Sequence, residues 1–105
     1  MSLTDQMRKG YEMTVPSRRG CTTGQGRDGK LACCPLAAAA VALGWNGLRR
    51  HRRLAIIHQV LDYLLWQGYP LCHDDAKDII RRYDGKGCRP HTREEVLAYV
   101  EGLGL

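Results

Sequence analysis

Residues 48–67 read LRRHRRLAIIHQVLDYLLWQ, and this stretch decides the fold. Leu54, Ile57, Leu61, Leu64 and Leu65 recur at helical spacing, and Ile56, Val60 and Tyr63 form a second apolar face. A helix apolar on two faces is contacted from both sides, so a central buried helix is predicted over about 48–67. Gly68 and Pro70 stop it. Its exposed edge is left to His58, Asp62 and Gln67.

Other helices are placed around it. Thr4 to Met13 forms a short one, capped by Ser2 or Thr4 and ended by Pro16. Pro35 suits a first helical turn, and the run from Leu36 to Leu43 consists of strong helix formers with small side chains, closed by Gly44. A fourth helix runs from His73 or Asp74 to Tyr83, with Asp74 and Asp75 at its start and Arg81 and Arg82 at its end, as the macrodipole favours. Thr92 and Glu95 have capping-box spacing and open a fifth. Between the first two helices, residues 20–33 are rich in glycine. Asp28-Gly29 signals a two-residue type I′ turn, so a small β-hairpin or ordered loop is expected there. The predicted class is therefore mostly α: a compact domain of four to five helices spanning residues 1–105. Its core comprises Leu36, Val41, Leu54, Ile57, Leu61, Leu64, Ile80, Val96 and Val100.

Composition bounds the function. At 105 residues, with 44% hydrophobic and 26% charged residues, the chain supports one modest core. No apolar run reaches the roughly 18 residues of a membrane span. Met1–Gly10 is polar, unlike a signal peptide, so a cytoplasmic location and no membrane partner are expected. The net charge of +5 is uneven. Residues 1–30 carry six basic and three acidic groups, residues 31–70 four and one, and residues 71–105 six and seven. The excess lies in the first two-thirds and predicts a positive face.

That face centres on Arg49, Arg50, Arg52 and Arg53. Cations at a helix start oppose the macrodipole by about some tenths of a kcal/mol each, so a purely structural sequence would place acids there. Arg18, Arg19 and Lys30 extend the cluster, and Trp45 precedes it as a group able to stack. Guanidinium groups beside helix N–H groups suit phosphates or clustered carboxylates. The expected partner is a nucleic acid or an acidic protein surface. The protein is read as a small non-catalytic binding or regulatory protein. In the protein-binding reading, Trp45 and Tyr69 join the arginines as an interfacial hot spot. The competing account has the arginines pairing with the acids of residues 74–101.

Three other constellations are weaker. No cofactor signature is present, but zinc stays open, with Cys21, Cys33, Cys34, Cys72, His73, Cys88 and His91 as possible ligands and Cys21, Cys33, Cys34, Cys88 and His91 as the leading candidates. Cys88-Arg89-Pro90-His91 has C-x2-H spacing, and the chain has no C-x2-C pair. Cys33 or Cys34, lying before a helix start, would be the nucleophile of a cysteine enzyme with His91 or His73 as base, a reading without a substrate cleft to support it. Gly24-Gln25-Gly26-Arg27-Asp28-Gly29 matches G-x-G-x-x-G, but no βαβ unit surrounds it and position 49 is Arg where an acid is expected. The 84–91 connection is too long for a helix-turn-helix, and the acidic helix after it would repel phosphates.

Two stretches resemble an uncharacterised group of small bacterial and phage proteins. The first runs from Gly20 through Cys21, Asp28-Gly29 and Cys33-Cys34 into the alanine run. The second is Tyr83-Asp84-Gly85 followed by Thr92-Arg93-Glu94-Glu95-Val96-Leu97. The resemblance leaves out residues 48–53. It implies an accessory protein, phage- or mobile-element-borne, rather than a metabolic enzyme.

Overall fold

The computed structural model describes residues 2–16, 22–25, 29–45, 56–69, 71–85, 87 and 89–105. The element order is α1 (Leu3–Met13), β1 (Thr14–Pro16), β2 (Thr22–Gln25), β3 (Leu31–Cys33), α2 (Pro35–Ala42), α3 (Ile56–Trp66), α4 (His73–Asp84) and α5 (Arg93–Gly102). The chain is a mostly helical domain with a small sheet, as its periodicity predicts. No described helix is long and apolar enough to cross a membrane.

Local chemistry sets the helix ends. Ser2 caps α1 through a reciprocal box. Its hydroxyl accepts the Asp5 N–H at 3.1 Å, and the Asp5 carboxylate accepts the Ser2 N–H at 3.2 Å. Thr92 and Glu95 repeat the device on α5. Pro35 stands in the first turn of α2. Gly85 ends α4 in the left-handed region at φ +79°, where a Cβ would also strike the Pro90 ring at 2.6 Å.

The centre of the fold lies one helix earlier than expected. Pro35 to Ala40 are all buried, so among the described helices the first turns of α2, and not α3, are enclosed on every side. The reason is size. Alanine side chains let neighbouring backbones come close, and α1 uses this: a Cβ on Gly10 would lie 1.9 Å from the Ala38 carbonyl oxygen. α3 instead packs by one face. Val60 and Leu64 are fully buried and Ile57 and Leu61 partly so, while Leu65, expected inside, is 60% exposed. At 100° per residue, Leu65 falls on the side of His58 and Asp62, not on that of Val60 and Leu64.

The rest of the expected core is present in graded form. Leu36, Leu64, Val96 and Val100 are fully buried, Val41, Ile57, Leu61 and Ile80 pack against them partly buried, and Leu54 lies outside the described residues. Met7, Val60, Ile79 and Tyr83 complete the interior.

The Gly-rich insert contributes β2 and β3, which join β1 in a three-stranded sheet of order β1-β3-β2. β2 and β3 are antiparallel, as the hairpin reading requires. Gln25 pairs with Leu31, and Asp28 of the expected turn lies outside the described residues. Gly29 does have the positive φ, +73°, that a turn there demands. β1 runs parallel to β3, pairing Thr14 with Leu31. Its brevity hides it in the sequence, since three residues show no alternation, and Pro16 is tolerated because β1 is an edge strand.

Candidate functional site

The arginine run precedes α3 in the chain, and α3 is anchored in the core by Val60 and Leu64. Arg49, Arg50, Arg52, Arg53, Arg18 and Arg19 lie outside the described residues. Two members of the expected surface are described. Lys30 is exposed and donates its ammonium to the Glu12 carbonyl at 3.0 Å, a neutral acceptor that leaves its charge in place. Trp45 is half-buried against the core and its backbone N–H donates to the Ala40 carbonyl at 2.9 Å, so part of the ring is occupied by packing. Tyr69 is likewise half-buried, its hydroxyl 3.3 Å from the Gln6 amide.

Two of the seven acids in residues 74–101, Glu95 and Glu101, already pair with other arginines. Arg8 pairs with Glu101 at 3.0 Å and with Asp5 at 3.5 Å, and Arg89 grips Glu95 with two bonds of 3.1 and 2.6 Å. The Arg89 fork and the Thr92 N–H hold the Glu95 carboxyl down at about 2.

The cysteine and histidine candidates are dispersed. Cys33 and Cys34 are buried in the core. Burial, reinforced by the neighbouring Cys34, pushes the Cys33 thiol up to about 12, the opposite of what a nucleophile needs. The Cys34 sulfur accepts the Ala37 N–H at 3.5 Å, capping α2. His91 is half-buried and points its Nδ1 at the Arg82 carbonyl, 3.1 Å away. Cys21 and Cys88 lie outside the described residues. Among the described residues no group of three or more His, Cys, Asp or Glu side chains is placed to hold a metal ion. Gly24 and Gln25 of the G-x-G-x-x-G stretch belong to a strand.

No protein family, curated protein or solved structure matches the chain.

Three features escape the sequence reading. The first is Arg93, 7% exposed and at the start of α5. Its guanidinium donates to the Thr14 carbonyl at 3.2 Å and to the Thr14 hydroxyl, and lies 4.1 Å from the centre of the Tyr11 ring. Burial lowers the Arg93 pKa and raises that of Tyr11, each against a smaller opposing effect of the other. No signal in the sequence separates Arg93 from an ordinary charged residue in a first helical turn. The second is the end of α3, where Trp66 is 78% exposed beside Leu65 and stands 6.0 Å from the Tyr63 ring. The 3.6-residue period shows this once the buried stripe is placed on Val60 and Leu64. The third is a close approach of His58 on α3 to His73 on α4, with ring centres 5.4 Å apart. Both lie on exposed helix positions, but only the tertiary fold brings them together.

Proposed function

We propose that this is a small non-catalytic accessory protein that binds nucleic acid through Arg49, Arg50, Arg52 and Arg53, with Arg18, Arg19 and Lys30 adding to the field. One observation carries the reading. Between Asp28 and Asp62 the chain has no acidic residue, and four guanidinium groups fall within five positions of that interval. Such a run, leading into a helix anchored in the core, supplies the bidentate donors that phosphate oxygens accept. The engagement of Glu95 and Glu101 by Arg89 and Arg8 supports it, since it removes two of the carboxylates that would otherwise neutralise the run.

Binding of a labelled duplex and of a labelled single strand, followed by anisotropy across a salt series, tests the proposal. The slope of log K against log salt is about −0.9 per phosphate neutralised on duplex DNA, so four arginines each holding one phosphate give about −3 to −4. Replacing all four by glutamine should abolish binding and leave the circular dichroism spectrum unchanged. Absence of binding to either strand form at low salt ends this reading.

A second reading is favoured by Leu65 and Trp66. They place a large apolar side chain pair in solvent on the helix that the arginines precede. Aromatic and arginine side chains together are the usual anchors of a protein interface. A regulator acting on an acidic protein surface would retain one defined protein through Trp66 and the arginines and be indifferent to nucleic acid.

A further inference from the structure

The geometry points to a surface site for one divalent transition-metal ion held by His58 and His73, and we propose that such an ion braces α3 against α4. The ring centres are 5.4 Å apart, with the ring planes inclined at 47°. An imidazole nitrogen binds zinc or a neighbouring ion at about 2.1 Å, which places each ring centre about 3.2 Å from the metal. Two rings on one ion at a tetrahedral angle therefore stand about 5.2 Å apart. The observed ring-centre spacing of 5.4 Å matches that distance.

Both histidines are exposed, so an ion reaches them from solvent. They stand on different helices, α3 and α4, so the brace joins two elements of the fold. Cys72 precedes His73, but its sulfur accepts the Asp75 N–H at 3.4 Å as the cap of α4. No third His, Cys, Asp or Glu side chain among the described residues joins the pair. Water fills the remaining positions. Two imidazoles with water select a borderline ion (nickel, copper or zinc) over magnesium or calcium, which prefer oxygen.

Nickel is the suitable probe, because imidazole suits it and, unlike cupric ion, it does not oxidise the five cysteines. Nickel titration of the full chain by calorimetry, with His58→Ala, His73→Ala, the double variant and Cys72→Ser, tests the site. Both histidines are exposed, so the variants should keep the native circular dichroism spectrum. If one ion is shared, each single histidine variant loses at least tenfold in affinity, the double variant loses little more than either single, and Cys72→Ser stays within twofold. Nickel also raises the unfolding temperature of the wild type and not of the variants. Affinity unchanged in either single histidine variant, losses in the double variant that multiply as for independent sites, or a loss in Cys72→Ser equal to that in His73→Ala overturns the proposal.

Discussion

Arg93 and Tyr11 hold each other twice. The guanidinium lies 4.1 Å from the Tyr11 ring centre, and the Tyr11 hydroxyl donates to the Arg93 backbone carbonyl at 2.9 Å. The network continues through Thr14, whose hydroxyl meets the guanidinium and donates to the Gly10 carbonyl at 2.7 Å. A side chain of α5 thus fixes the end of α1 and the start of β1. Among the described residues the Arg93 Nε is buried without a hydrogen-bond partner, so the cluster depends on the two terminal nitrogens and the ring.

Arg93→Ala should therefore destabilise the fold by about 3 kcal/mol, the range for losing buried hydrogen bonds to a charged donor together with their packing. Arg93→Lys should recover less than half, because an ammonium cannot reproduce the planar fork that meets both Thr14 oxygens. Tyr11→Phe, which removes one hydroxyl bond and keeps the ring, should cost about 1 kcal/mol. Urea unfolding with an unchanged m-value measures all three. A loss below about 0.5 kcal/mol for Arg93→Ala would show the cluster to be energetically neutral.

Gly10 sets the distance between α1 and α2. A methyl group there meets the Ala38 carbonyl oxygen at 1.9 Å and its carbon at 2.4 Å, both backbone atoms that cannot rotate away. Gly10→Ala should destabilise by about 3 kcal/mol despite alanine's better helix propensity, because overpacking outweighs the roughly 1 kcal/mol that propensity returns. Thermal unfolding decides it. A stabilised Gly10→Ala variant would mean that the helices separate without penalty.

Thiol accessibility separates the described cysteines. Cys72 is exposed, whereas Cys33 is fully buried with its thiol raised to about 12 and Cys34 is buried beside it. Pulsed alkylation of the native protein, read by peptide mass spectrometry, should modify Cys72 first. It should reach Cys33 and Cys34 only at the rate of unfolding. Rapid labelling of Cys33 or Cys34 would revive the cysteine-nucleophile reading.

The cap of α5 confers an acid-sensitive contribution. The Glu95 carboxyl sits at about 2 in the folded chain against an ordinary glutamate value of 4.5. A folded value below the unfolded one stabilises the fold at pH above the higher value. That contribution is lost as pH falls from about 4.5 to about 2. Stability measured from pH 6 downward should thus fall more steeply through this window for wild type than for Glu95→Gln, and added salt should narrow the difference. Parallel curves would remove the Arg89–Glu95 pair as a source of acid sensitivity.

The helix ends were legible because capping is local. Ser2, Pro35 and Thr92 with Glu95 act within one turn of chain, and the structure uses each of them. The centre of the fold was less legible. Hydropathy weighs Leu and Ile above Ala, so it favoured 48–67 over the alanine run. Packing favoured the alanine run, since only small side chains permit contact on all sides of α2. β1 leaves no mark in the sequence, because a short parallel strand is defined by its partner and not by its own residues. Of the candidate surface, the sequence carried the charge pattern, while the partly covered position of Trp45 and the exposure of Leu65 and Trp66 came from packing.

By itself, then, the sequence determined the helical class, the caps and the acid-free basic interval, all of which follow from interactions between residues a few positions apart. The tertiary structure alone decided that Arg93 is a buried clamp, that Gly10 is a contact point and that His58 meets His73. Each of these joins atoms far apart in the chain, and no local periodicity encodes which surfaces will be pressed together when the core closes.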